Sequence, residues 1–209
     1  MLMEGVPPAM IENAARMAGM PVGPLTLNDE VAIDLGWKIV QATKKDLGPN
    51  AVDPAQEKLL EAMVVKEGRF GRKNGKGFYD YPANGPKSLW PGLSAIAGKR
   101  IDPDTISVQD LKDRFLLTQA IEAARCMTEG VVTDPREADV GSILGFGFAP
   151  YTGGVISFID GLGLSAFVAR ARALAAKYGP RFEPGEKLAA MAERGETFYG
   201  TYSPKQEAA

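Results

Sequence analysis

The tightest constraint on this sequence is the direction of its punctuation: prolines open its apolar-periodic runs and glycines close them. Proline costs nothing at the first helical position, where its missing N–H has no partner anyway, and glycine tolerates the left-handed turn that ends a helix. Pro7 and Pro8 precede Met10, Ile11, Ala14, Ala15 and Met17 at helical spacing, with Gly19 beyond them. Pro24 opens a longer run through Leu27, Val31, Ile33, Leu35, Ile39 and Val40, which is expected to be one helix ending near Gly48. Asp53 with Pro54 forms an N-cap pair for a third helix, with Leu59, Leu60, Met63 and Val64 as its apolar stripe.

Past Gly68 the pattern changes. GRFGRKNGKGFYDYP interleaves glycines with basic residues and leads into a short β-prone FYDY, and little periodicity follows as far as Pro103. Helix returns in SVQDLKDRFLLTQAIEAARCMTEG, where Leu111, Phe115, Leu116, Ala120 and Ala123 share a face. Asp134, Pro135 and Glu137 then combine N-cap, first-turn proline and capping-box glutamate. Two more helices are expected over about 165–178 and 184–195, and the tail SPKQEAA is expected to fray. The division read from this is a first helical unit over 1–80, a connector over 81–104 and a second unit over 105–209.

The two halves repeat. Glu4, Gly5 and Val6 recur as Glu129, Gly130 and Val131, and the stretch from Gly19 to Asp29 recurs loosely from Gly147 to Asp160, at separations drifting from 125 to 131 residues. Two related helical units would pack as an internal pseudo-dimer.

Composition removes several function classes. The 24 basic and 26 acidic residues nearly cancel, so no global field draws the chain to nucleic acid or an anionic membrane. No stretch reaches the roughly twenty apolar residues of a membrane span. Cys126 is the one cysteine, which fits a reducing, cytoplasmic setting and reads as a buried structural thiol. The sequence contains no histidine, which weighs against triads and zinc sites.

Three patterns invite a sharper reading. GLGLSA, from Gly161 to Ala166, satisfies a dinucleotide-binding pattern after a strand-like VISFID, but no second strand follows to complete a βαβ unit, so it reads as a turn and helix start. GRKNGKG lacks the spacing and the Ser or Thr of a nucleotide triphosphate loop, although Arg69, Arg72, Lys73 and Lys76 are candidate phosphate contacts. The alternative there is a solvated turn at Asn74 and Gly75. Asp29, Glu30 and Asp34 read as a solvated helix face rather than a catalytic pair.

EGVPPAMIENAARMAGMPVGPLTLNDEVAIDLG, GRFGRKNGKGFYDY and EAARCMTEGVVTDPREADVGSILGFGFAPYTGGVISFID, in that order, resemble the tandem C-terminal domains of 3-hydroxyacyl-CoA dehydrogenase, as in the multifunctional fatty-acid β-oxidation enzyme of α-subunit type. The resemblance implies an all-α fold of two related units, like the C-terminal domain of 6-phosphogluconate dehydrogenase. It implies a parent reaction in which NAD oxidises (S)-3-hydroxyacyl-CoA, with the catalytic histidine and glutamate, and the NAD loop, in a Rossmann domain outside the matched segments. No catalytic residue and no cofactor site is then expected in this chain, and the chain alone is expected to be inactive. Gly23, Pro24 and Leu25 are expected to face the acyl-CoA cleft, while the second unit, containing Gly153, Gly154 and Asp160, supports the first. The implied partners are Rossmann and hydratase domains, or a separate chain supplying them, with self-association as a further outcome. The alternative is a stand-alone helical module that completes or regulates a separate Rossmann-containing chain. Nucleic-acid binding through the basic residues over 69–76 is the poorest reading, because that run is short.

Overall fold

The computed structural model describes residues 1–203, and the expected fraying from Pro204 onward lies outside them. Among the described residues the chain is helical, with one short two-stranded hairpin, as the resemblance implied. It folds as two units, the first from Met1–Ala15 with Val22–Ser107 and the second from Arg16–Pro21 with the chain from Val108 on.

The first unit begins with α1 (Pro8–Met17), α2 (Pro24–Val31) and α3 (Ile33–Leu47). The run from Pro24 to Gly48 is therefore two helices and not the single one expected. They part at Ala32, whose φ of 87° is the only positive value among described non-glycine residues. The N–H of Ile33, which a continuous helix would bond internally, is instead donated to the Phe70 carbonyl at 3.0 Å. Asp53 caps α4 (Pro54–Glu61) by accepting from the Ala55 N–H at 2.8 Å, and α4 runs on into a π-helical turn over Ala62–Lys66. FYDY forms β1 (Tyr79–Asp80), antiparallel to β2 (Ser88–Leu89) with Tyr79 opposite Leu89. After β2 comes a single turn of helix, α5 (Leu93–Ile96). The stretch expected as a connector packs into this unit: the Trp90 N–H donates to Phe78 O, the Ile101 N–H donates to Gly5 O, and Leu93 is buried beside a core of Leu2, Ile11, Leu25, Ile33, Met63 and Phe78.

The second unit contains α6 (Val108–Thr128), α7 (Pro135–Phe146), α8 (Val155–Leu162), α9 (Leu164–Tyr178), α10 (Glu186–Glu193) and α11 (Phe198–Tyr202). Asp134 caps α7 by accepting from the Arg136 N–H. VISFID, read as strand-like, is helix α8, because its apolar residues Val155, Ile156 and Ile159 are buried at helical spacing on one side. In GLGLSA, Gly161 lies inside α8 and Gly163 is the junction to α9, so the turn and helix-start reading holds and no βαβ unit exists there. Phe148, Phe167, Phe182 and Phe198 fill the centre, all at most 1% exposed, with Leu117 and Ala120 from α6.

The repeat is visible element by element. α2 and α8 have eight residues each, α3 and α9 fifteen, α4 and α10 eight, and Ala32 stands at the break where the second unit has Gly163.

Candidate functional site

Two hydrogen-bonded carboxylates organise each unit, both of them buried in the first and one, Asp139, buried in the second. In the first, Glu12 of α1 reaches the opening turn of α2 and accepts from the Thr26 N–H at 2.6 Å, the Thr26 hydroxyl at 3.0 Å and the Tyr79 hydroxyl at 3.1 Å. A helix N-terminus carries unpaired N–H donors and a partial positive charge, so a carboxylate there is well placed. At the other end of α2, Asp29 accepts from the Phe78 and Tyr79 N–H groups at 2.7 and 2.9 Å and from the Tyr81 hydroxyl at 3.0 Å. The second unit repeats this chemistry. Asp139 of α7 accepts from the Ile156 N–H at 2.7 Å, the Ser157 N–H, the Ser157 hydroxyl and the Tyr199 hydroxyl at 2.8 Å, and Asp160 accepts from the Phe198 and Tyr199 N–H groups at 2.9 and 3.0 Å. Tyr79 and Tyr199 thus each tie two carboxylates together.

This skeleton explains the glycines better than a ligand does. A Cβ at Gly23 would fall on the Glu12 carboxylate, and one at Gly154 on Asp139. Gly71 and Gly77 of the basic loop likewise leave room for Asp29, whose backbone and carboxylate occupy the positions their side chains would take.

Gly23 and Pro24 stand at the N-terminal end of α2, while Leu25 is 6% exposed and turns into the core of its unit. Arg72 and Lys73 stand near the other end, about 12 Å away at 1.5 Å per helical residue. Arg72 pairs with Glu30 at 2.7 Å, and Lys73 pairs with Asp34 while its ammonium lies over the Phe70 ring. Lys76 is exposed. Arg69 is not available to a phosphate: it is 5% exposed, donates to the Gly77 and Tyr79 carbonyls, pairs with Asp80 at 2.5 Å and stacks on Trp90. Asn74 closes the loop by accepting from the Phe70 and Lys76 N–H groups and donating to Gly68 O.

The acidic trio is corrected as well. Asp29 is 1% exposed rather than solvated, and burial pushes its carboxyl above the usual 3.8 while the Phe78, Tyr79 and Tyr81 donors pull it back. Burial and the neighbouring Asp29 charge raise the Tyr81 phenol in turn. Asp34 lies below 3.8 because Lys73 donates to its charged form. The break at Ala32 puts Glu30 and Asp34 on different helices, each with its own cation.

A pocket of about 460 Å³, lined by Val6, Pro7, Pro8, Trp90, Leu93 and Arg100 among others, opens in the first unit, and none of the residues predicted as a site lines it. Only the adjacent prolines and the tryptophan marked this region in the sequence. Cys126 is free and half-buried. Among the described residues no cluster of acidic or cysteine side chains could hold a metal ion, and no helix is long and apolar enough to cross a membrane.

Two repeated helical units, each built on a pair of hydrogen-bonded carboxylates, define the class of fold, and comparison with known proteins shows where that class occurs. Residues 1–81 match the family model described as 3-hydroxyacyl-CoA dehydrogenase, C-terminal domain. The chain also has the fold of part of the 3-hydroxybutyryl-CoA dehydrogenase of Escherichia coli, at a TM-score of 0.63 and 19% identity, over 90% of this chain and 55% of that one. The dehydrogenase part of multifunctional enzyme 1 from Caenorhabditis elegans gives a TM-score of 0.59 at 19% identity, over 90% of this chain and 43% of that one. The chain thus spans about half the length of the solved structures it matches. The resemblance read from the three motifs is the one these comparisons return.

Proposed function

We propose that this chain is the helical C-terminal part of an NAD-dependent (S)-3-hydroxyacyl-CoA dehydrogenase of fatty-acid β-oxidation, acting in the cytoplasm beside Rossmann and hydratase domains or a separate chain that supplies them. The observation that carries this reading is the family match over residues 1–81, which takes in both carboxylate nodes of the first unit and the loop between them. In this reading the start of α2 at Gly23, Pro24 and Leu25 forms one wall of the acyl-CoA cleft. Leu25 contributes from behind by holding that turn, since its side chain lies in the core. A ligand touching both this turn and Arg72, Lys73 or Lys76 has to run along α2, and it has to compete with Glu30 and Asp34 for the first two cations.

NAD does not fit the residues present. Gly161 is inside a helix, Gly163 joins two helices, and no strand among the described residues precedes them to build a dinucleotide turn. With no histidine in these 209 residues, the general base that the parent reaction needs also belongs elsewhere. The contribution of this chain is binding, closure and support.

The test is calorimetric titration of the chain with NADH and with acetoacetyl-CoA, followed by assay of 3-hydroxybutyryl-CoA oxidation with and without a Rossmann-containing polypeptide. Neither NADH binding nor turnover is expected from the chain alone, and turnover is expected on mixing. Turnover by the chain alone would overturn the proposal, as would a mixture that binds NADH and still fails to turn over.

A further inference from the structure

The pocket beside Trp90 in the first unit carries cations on an apolar wall and no acid. Pro7, Pro8, Trp90 and Leu93 line its space of about 460 Å³, the exposed Lys99 and Arg100 complete the wall, and no aspartate or glutamate belongs to it. A volume of that size lies within the roughly 300–1,000 Å³ of small-molecule sites. The cations of the nearby loop are all taken up, Arg69 by Asp80, Arg72 by Glu30 and Lys73 by Asp34. Among the described residues no side chain pairs with Lys99 or Arg100. Two cations left without a counter-charge beside apolar surface call for an anion with an apolar body.

The wall is also held in place. Pro7 and Pro8 have ring-locked backbones. Trp90 is fixed from three sides: its backbone N–H donates to Phe78 O at 2.9 Å, Arg69 lies 4.1 Å from the centre of its ring, and its benzo edge rests on Gly92, where a Cβ would come within 2.1 Å of Cζ2. The basic pair sits on pinned backbone. The Gly98 N–H donates to Leu2 O at 3.3 Å and the Ile101 N–H to Gly5 O at 3.0 Å, while a Cβ at Gly5 would fall 1.9 Å from Lys99 O. A wall already ordered lowers the entropy that binding has to offset.

We propose that this pocket binds an amphiphilic carboxylic acid, with its hydrocarbon part against Pro7, Pro8, Trp90 and Leu93 and its carboxylate on Lys99 and Arg100. A neutral ligand would leave both cations unused. An inorganic anion would leave the apolar wall in water. None of the lining residues belongs to α2 or to the basic loop over 69–77. The inference therefore goes beyond the cleft proposed above, and either can fail without the other.

The probe is octanoate, titrated into the intact 209-residue protein and followed through the Trp90 indole N–H in proton–nitrogen correlation spectra. The chain has two tryptophans, and Trp37→Phe assigns the Trp90 peak by removing the other. A saturable shift with a midpoint below about 1 mM is expected. Lys99→Met combined with Arg100→Met should weaken binding about tenfold or more through loss of the charge-assisted bonds. Lys45→Met combined with Lys58→Met, at two exposed lysines of the same unit, should leave it unchanged. 1-Octanol should bind about tenfold or more weakly than octanoate. All four substituted positions are exposed, and the dispersion of the spectrum checks that each variant stays folded. A shift still unsaturated at about 10 mM octanoate would overturn the proposal. So would equal binding by the two double variants, or octanol binding as tightly as octanoate. Displacement of octanoate by an equal concentration of inorganic phosphate would overturn it too, since the site would then hold any oxyanion.

Discussion

The two units share a hydrogen-bond skeleton and differ in how they fill the space around it. Each sets a carboxylate from one helix on the first turn of the next, places an aspartate at that helix's far end, and closes both with a Phe–Tyr pair. Around this frame the second unit packs four buried phenylalanines and a 21-residue helix. The first has Phe78 as its one buried phenylalanine and fills the rest of its core with smaller side chains of α1 to α4, such as Ile11, Leu25, Ile33 and Leu60, together with Met63 of the π-helical turn, Tyr79 of the hairpin and Leu93. The lesson is that the polar frame specifies the topology while the apolar filling is free to drift, because volume can be conserved by many side chains whereas a buried carboxylate must keep every one of its donors.

The carboxylate over the helix start gives the largest expected effect and the most direct way to break the comparison. Asp139 uses both oxygens, whereas Glu12 has its bonds on Oε1 and leaves Oε2 buried without a partner. Removing Asp139 strands more donors. Asp139→Ala is expected to cost about 3–5 kcal/mol and Glu12→Ala about 2–3 kcal/mol in urea unfolding, both from buried donors left without an acceptor. A larger loss for Glu12→Ala would mean that the first unit depends on this node more than the second does, and the parallel would fail.

Much of this was legible in the sequence, for reasons that differ by element. The Asp–Pro pairs at 53–54 and 134–135 mark helix starts because capping chemistry is local, and both aspartates accept the expected N–H bonds. The repeat registered through its glycines and through Asp29 and Asp160. The break at Ala32 left no signal, since alanine is the best helix former and the cause lies in the distant Phe70 carbonyl. VISFID misled because a short apolar run has no period long enough to separate strand from helix. Arg69 looked like its exposed neighbours Arg72 and Lys73, and its burial follows from a hairpin fold that brings Gly77 and Tyr79 around it. Glu12 and Asp139 went unseen as a pair, although a lone acid on an apolar helical face, with a Phe–Tyr pair downstream in each half, was the available sign.

A smaller effect comes from the two aspartates of the first unit that shift in opposite directions. The carboxyl of Asp29 is raised by burial and that of Asp34 is lowered by Lys73, so carbon-detected titration should place their midpoints on opposite sides of 3.8. For Asp34, with its lowered value, the contribution to stability is present above 3.8 and is lost as pH falls through the folded value. For Asp29, with its raised value, the protonated form favours the fold, and that contribution is lost as pH rises through the folded value. Because Lys73 is half exposed, Lys73→Ala should cost about 0.2–1 kcal/mol at neutral pH and bring the Asp34 midpoint back toward 3.8. Midpoints on the same side would show that burial and pairing do not divide the two groups in this way.

A last effect tests a position where the units differ in backbone chemistry but not in backbone shape. Ala32 at φ 87° and Gly163 at φ 80° both join an eight-residue helix to a fifteen-residue one. An L side chain at such an angle costs about 1–2 kcal/mol, while glycine loses up to about 1 kcal/mol more than alanine in unfolded-chain entropy. Ala32→Gly should therefore stabilise the first unit by the difference, between about 0 and 2 kcal/mol, and Gly163→Ala should destabilise the second by about the same, the two terms being identical with their signs reversed. Nothing within 4 Å opposes a Cβ at Gly163, so the Gly163→Ala loss is purely conformational. Thermal unfolding of the two variants measures this. If Ala32→Gly instead destabilises, the alanine methyl is making a packing contribution that outweighs its strain, and the first unit has adapted its junction rather than merely tolerated it.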